Sequence, residues 1–265
     1  MLVENTLYGE VDKVLLAVRR LQLNQPPEGY YVAFSGGKDS CVILDLCKRA
    51  GVKFDAHFNV TTVDPPEVIR FVHKYHPEVI FEKPEMPMAK VIEKTKILPT
   101  RMARYCCAIF KERGGAGRFV VTGVRREESP RRAKRNIVEP CYGKAGKRFI
   151  HPIIEWTKDD VWEYIKKFHL AYCSLYDEGF QRIGCVCCPF ATRRRKEIEI
   201  KRWPGIFKNQ WERGAKLAWD ARKQAGMRNF ASPEEMLRWW ISGKSKEKEL
   251  PMDNLFGIMG DETMT

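Results

Sequence analysis

No apolar run in this 265-residue chain approaches the roughly 20 residues that a bilayer-spanning helix needs. Met1 to Glu10 holds two glutamates and no basic segment, so a secretory leader is not expected, and the expected setting is cytoplasmic with no membrane partner. Internal repeats are lacking, which excludes a solenoid or propeller. Negative charge is in short supply: 34 acidic residues face 47 basic ones, a formal net charge of +13. An excess of that size favours a polyanionic partner or substrate, nucleic acid included. Much of it is concentrated in residues 125–135 and 193–202. Nine cysteines are present, and without a leader they argue against a disulfide framework. None follows Cys188.

The most informative stretch is Tyr30-Tyr31-Val32-Ala33-Phe34 followed by Ser35-Gly36-Gly37-Lys38-Asp39-Ser40. The first five residues are apolar, aromatic or β-branched and read as a strand. Val42, Ile43, Leu46 and Cys47 then recur at helical spacing. Two adjacent glycines between strand and helix let backbone N–H groups approach an anion. The helix start adds its dipole, Lys38 a full charge, and Ser35 and Ser40 hydroxyl donors. Phosphate binding is the chemistry this turn predicts.

Strands and helices alternate from there. The pattern predicts a helix over residues 10–23, a second strand over 52–60, a loop at Thr61 to Asp64 and a helix opened by Pro65-Pro66. A third strand is expected near 79–82, a helical stretch over 105–113, another strand over 118–123 and a hairpin within 137–150. Thr157 precedes a further helix carrying Asp159 and Asp160 in its first turn. Such alternation predicts an α/β fold, a parallel sheet flanked by helices, with ligands beyond the carboxyl ends of the strands. The Ser35–Ser40 loop, Thr61 to Asp64 and Gly123 to Ser129 all follow strands and are expected at one crevice. From Lys196 onward the chain reads as helical, with Trp203, Trp211, Trp219, Trp239 and Trp240 as packing residues, and from Gly243 as a tail. The expected division is an α/β domain over 1–190 and a helical C-terminal region over 191–265.

Cys106-Cys107 and Cys185-Val186-Cys187-Cys188 supply two pairs of thiols whose spacing suits a metal centre. Zinc and a redox dithiol stay open on spacing alone, although adjacent cysteines fit a multi-iron cluster better than one small ion. Cys187 reads as a spare buried thiol, and Cys41 and Cys47 as small hydrophobes. Cys141 and Cys173 are held as candidate sulfur carriers.

Together these motifs resemble the phosphoadenosine phosphosulfate (PAPS) reductase family of the adenine nucleotide alpha hydrolase-like superfamily. The resemblance rests on Ser35 to Ser40, Cys106-Cys107 with Lys111, Gly123-Val124-Arg125-Arg126-Glu127-Glu128-Ser129 with Arg132, Pro152 to Trp156 with Asp160 to Trp162, and Gly184 to Pro189. It implies a Rossmann-like ATP-pyrophosphatase fold and a [4Fe-4S] cluster on Cys106, Cys107, Cys185 and Cys188. Reductases of the family attack with a cysteine in a C-terminal Glu-Cys-Gly-Leu-His motif that this chain lacks, whereas its Ser-Gly-Gly-x-Asp-Ser loop has the form of the ATP-cleaving members. The resemblance therefore points to the iron-sulfur, DNA phosphorothioation-like branch: an ATP pyrophosphatase that adenylates an acceptor for sulfur transfer. Lys38, Asp39 and Arg125 are the expected catalytic residues. Thr61, Asp64, Gly123, Arg125 and Arg132 join the loop in binding adenine nucleotide, and Asp39 or Asp64 holds Mg²⁺. Candidate partners are a nucleic-acid acceptor, a sulfur-donor protein and a second copy of the chain. The alternatives are a reductase of adenylyl sulfate (APS) or PAPS using a partner thiol, and a non-catalytic nucleotide-binding iron-sulfur subunit.

Overall fold

The computed structural model describes residues 1–7, 9–140 and 146–243. In chain order the strands and α-helices are β1 (Val3–Thr6), β2 (Gly9–Asp12), α1 (Lys13–Leu23), β3 (Tyr30–Phe34), α2 (Lys38–Ala50), β4 (Phe54–Asn59), α3 (Pro66–Tyr75), β5 (Ile80–Glu82), α4 (Met88–Thr95), α5 (Tyr105–Phe110), β6 (Phe119–Val121), α6 (Pro130–Ala133), β7 (Val138–Pro140), β8 (Arg148–Ile150), α7 (Lys158–Lys167), α8 (Arg193–Arg202), α9 (Pro204–Ile206), α10 (Arg213–Gln224) and α11 (Pro233–Ser242). They fall into two compact units. The first comprises Met1–Asn59, Pro66–Lys83 and Arg113–Gly184, and the second Val60–Pro65, Pro84–Glu112 and Cys185–Thr265.

The first unit is the α/β body. Its six-stranded sheet runs β5-β4-β3-β6-β8-β7 and is parallel except for β7, which pairs antiparallel with β8 through Val138↔Ile150. Tyr31 of β3 sits opposite Asp55 of β4 and Val120 of β6. Four of the five β3 residues are buried, as a parallel strand covered on both faces requires. Helix α2 covers the sheet with Val42, Ile43, Leu46 and Cys47 buried, and packs against α1 and α7. Gly51, at φ +65°, closes α2 in the left-handed conformation. Helix α7 opens with a capping box: the Asp160 backbone N–H donates to the Thr157 hydroxyl, and the Thr157 N–H to Asp160 Oδ2.

The helix expected from residue 10 starts instead at Lys13. Asp12 accepts the N–H groups of Val14 and Leu15 at 2.7 and 3.0 Å, and Gly9–Asp12 pairs with β1. The hairpin over 137–150 is present as β7 and β8, but its turn at Gly143 to Ala145, and Cys141 beside it, lie outside the described residues, as does the tail beyond Gly243.

The second unit is mainly helical. Gly214 lets α10 close on α4, because a Cβ there would come within 2.7 Å of Ile92 Cδ1. A π-helical segment, Phe207–Glu212, leads into α10. Trp211 stacks on Trp240 at 4.6 Å, and their indole N–H groups donate to the carbonyls of Val186 and Pro99. These tryptophans are core, as expected from their spacing. Among the described residues no helix is long and apolar enough to cross a membrane.

Candidate functional site

The turn between β3 and α2 requires glycine at its first position after Ser35. Gly36 has φ +70°, and a Cβ on it would lie 2.7 Å from Val68 Cγ1. Gly37 begins α2 without a side-chain cap, so the amides of the first helical turn are left to other partners. The Lys38 N–H is one exception, donating to the Tyr176 hydroxyl at 3.0 Å. Ser40 turns back into the loop: its hydroxyl donates to the Gly37 carbonyl at 2.8 Å and accepts the Ser35 N–H at 3.2 Å. Gly36→Ala is expected to cost about 1–3 kcal/mol of stability through strain at positive φ, read as a lowered denaturant midpoint. An unchanged midpoint would contradict the close approach to Val68.

Lys38 and Arg125 are both nearly buried, at 6% and 4% exposure, and share one carboxylate. Lys38 Nζ pairs with Asp39 Oδ2 and Arg125 Nε with Asp39 Oδ1, each at 2.7 Å. Arg125 Nη1 also reaches Glu127 at 3.1 Å and the Trp156 carbonyl at 3.4 Å. Gly123 permits this approach, since a Cβ there would stand 3.0 Å from Asp39 Cβ. Arg132 pairs with Glu128, whose carboxylate also accepts the Arg125 N–H at 2.9 Å. The structure thus gathers Ser35 to Ser40, Gly123 and Arg125 around the first turn of α2 and ties Arg132 to them through Glu128. Tyr176 was missed in the sequence, because nothing in its spacing separates it from a packing tyrosine. It also lines a cavity of about 350 Å³ with Lys158, Trp162 and Lys166.

Thr61 and Asp64 belong to the second unit. Both Asp64 oxygens are engaged inside that turn, one by the Thr61 N–H at 2.7 Å and the other by its hydroxyl at 2.8 Å. Burial pushes the Asp64 carboxyl above the usual range. Both Asp39 oxygens are likewise engaged, by Lys38 and Arg125.

Cys106, Cys107, Cys185 and Cys188 also lie in the second unit and are close enough for their charges to interact. The expectation that they hold a [4Fe-4S] cluster is corrected by their surroundings. Among the described residues no group of three or more His, Cys, Asp or Glu side chains is placed to hold a metal ion. That finding bears on the cysteines and not on the expected Mg²⁺, because Mg²⁺ on nucleotide phosphates needs only one or two carboxylates. The cysteine sulfurs have other partners: Cys106 is hydrogen-bonded with Cys107, and Cys185 donates to the Thr61 hydroxyl at 3.5 Å. The positive charge among them is the Lys111 ammonium, bonded to Cys185 and attracted by Cys107 and Asp64, which together hold its pKa above the ordinary value. Cys187, as expected, is a buried thiol, and it has φ +56°.

The hydrogen bond from Cys106 favours the Cys107 thiolate, helped by Lys111 and Arg104, and raises Cys106 in turn. Burial pushes Cys47 up to about 12 and also raises the Cys173 thiol. Cys107 is therefore expected to take up iodoacetamide at neutral pH well before Cys47 or Cys173, with a rate that levels off below the pH at which an ordinary thiol does. Peptide mapping after brief alkylation checks this, and equal labelling of the three would contradict it.

Residues 29–191 match the phosphoadenosine phosphosulfate reductase domain model, and the chain belongs to that family. It is 31% identical over 196 residues to an adenosine 5'-phosphosulfate reductase of Staphylococcus haemolyticus, covering 66% of this chain and 76% of that protein. To the enzyme of the same name from Lysinibacillus sphaericus it is 29% identical over 221 residues, covering 78% and 93%. Among solved structures it is similar to a PAPS reductase from Candida auris in a phosphate complex, with a TM-score of 0.51, 22% identity, and coverage of 64% of this chain and 87% of that one. That likeness bears on the fold, which is the α/β fold expected.

These relatives overturn the assignment to an iron-sulfur, ATP-cleaving branch and with it the pyrophosphate-releasing mechanism. The physical reason is that the Gly-Gly turn before a helix start, from which ATP cleavage was expected, suits a phosphate group of any nucleotide. Its form does not dictate which bond to that phosphate breaks.

Proposed function

We infer that the chain is a sulfonucleotide reductase that binds APS or PAPS at the Ser35 to Ser40 loop and yields sulfite with electrons from a partner dithiol. The observation that carries the reading is the family match over 29–191, which spans the loop, Gly123, Arg125 and Arg132. The names of its bacterial relatives support APS over ATP, and the family's own name extends this to PAPS. A partner dithiol is invoked as the source of the two electrons that sulfite formation requires.

In this reading a thiolate of the partner attacks the sulfonate sulfur, and the bond from that sulfur to the phosphate oxygen breaks. The nucleotide leaves as AMP, or as its 3'-phosphate from PAPS, and the thiol carries a thiosulfonate. The partner's second thiolate then attacks the first sulfur, releasing sulfite with the bonding pair and leaving a disulfide, so the dithiol has supplied two electrons. The chain's own part is at the leaving phosphate. Lys38, the free amides of the loop and Arg125 stabilise the charge that develops there, and Asp39 orients both cations. Ser35, Gly36, Gly37 and Ser40 shape the cradle, Gly123 allows the approach, and Arg132 is assigned an outer phosphate. The reduced state of a dithiol partner suits a cytoplasmic setting.

Titration calorimetry checks the binding half of this account. APS or PAPS is expected to bind, with affinity falling in Lys38→Ala and Arg125→Ala. Absence of binding by every adenine nucleotide would remove the loop assignment.

A further inference from the structure

The basic side chains of the second unit outnumber its acidic ones, and several converge on one exposed face that the loop chemistry does not use. Thr192 caps α8 by accepting the Arg195 N–H, and the helix opens with Arg193, Arg194 and Arg195. Arg193 is 67% exposed despite its pairing with Glu197, and Arg194 is exposed with no ion pair among the described residues. Arg101 comes to the same place, its Nη2 donating to the Phe190 carbonyl at 3.4 Å. Its charge also opposes that of Lys196 on the first turns of α8. Phe190 is 44% exposed, with the Arg104 guanidinium 5.6 Å from its ring centre, and Met102 beside Arg101 is 93% exposed.

A cluster of cations around a ring with a solvent-facing side is the arrangement that holds a phosphate backbone while a base stacks. An acidic protein partner is the less favoured occupant. Two exposed apolar side chains, Met102 and Phe190, make a poor apolar centre for a protein interface. We propose that this face binds single-stranded nucleic acid, with phosphates on Arg101, Arg193 and Arg194 and a base on the Phe190 ring. The site goes beyond sulfonucleotide reduction and shares none of the residues assigned to it.

The test is fluorescence anisotropy of the full chain with labelled oligo-dT, oligo-U and a duplex, each of about 20 nucleotides, a length that exceeds one stacking site. Binding to the single strands is expected at about 50 mM salt, with log K falling against log salt by about 0.7 for each phosphate contacted. Arg101→Glu/Arg193→Glu/Arg194→Glu is expected to lower affinity more than about tenfold and flatten that slope. Phe190→Ala is expected to lose about tenfold on single strands and little on the duplex. Circular dichroism and sulfonucleotide binding unchanged from the parent chain show that the variants are folded. No binding at low salt would overturn the proposal, as would the same affinity in the triple variant. So would capture of an acidic thiol carrier by this face with no oligonucleotide bound.

Discussion

Lys38→Ala is expected to lower sulfite formation by more than about hundredfold, the scale on which one preorganised donor to a developing oxyanion acts. Lys38 is 6% exposed and is held at 2.7 Å from Asp39, so its ammonium is fixed before any substrate arrives. Removing it takes away charge stabilisation at the leaving phosphate and leaves Asp39 with Arg125 alone. Because Arg125 still neutralises that carboxylate, the fold should survive, which separates this effect from unfolding. Lys38→Arg tests the geometry: a guanidinium keeps the charge but not the compact reach, and partial activity is expected. Turnover in Lys38→Ala equal to that of the parent chain would remove the lysine from the mechanism.

The second large effect concerns Asp160, which has no solvent exposure and is the electrostatic anchor of the first unit's N-terminal segment. It accepts from the Met1 ammonium, from Lys13 Nζ and from the Thr157 N–H, each at 2.8 Å. Burial opposes its charge, but these donors outweigh it and hold the carboxyl down at about 2. A carboxyl depressed in the folded state contributes stability above its unfolded value near 4 and loses it as pH falls toward 2. Asp160→Asn keeps the shape but leaves the nearly buried Lys13 to Glu4 alone, and should cost about 3–5 kcal/mol at neutral pH. Denaturant melts at pH 7 and below check both parts. The gap between parent and variant is expected to narrow as the parent's Asp160 protonates, and a gap independent of pH would contradict the assignment.

The strand, turn and helix around Ser35 to Ser40 were legible because their constraints are local. Gly36 must adopt positive φ against Val68, and a strand, two glycines and a helix start within ten residues announce that need. Arg125 was legible by its place after β6, and the structure adds what position alone lacks, a shared carboxylate with Lys38. The cysteines show the opposite case. Spacing picked out four thiols that lie in one unit, but it carried no information on their surroundings. Lys111, one helical turn beyond Cys107, places its charge beside Cys185 and Cys107, and no metal-holding group is formed among the described residues. Tyr176 was invisible because its contact with Lys38 spans 138 positions and depends on tertiary packing. The start of α1 was misplaced because the apolar spacing of residues 11–23 is helical throughout, while Asp12 as cap and the pairing with β1 decide where the helix begins.

The most direct measurement supplies the chain with APS or PAPS and a reduced dithiol protein, and in a parallel sample with ATP and no sulfonucleotide. Sulfite, released nucleotide and pyrophosphate are quantified in each. The account predicts sulfite and AMP, or its 3'-phosphate, in equal amounts in the first sample, dependent on the dithiol, and no pyrophosphate in the second. Pyrophosphate from ATP, with no sulfite from either sulfonucleotide, would contradict it.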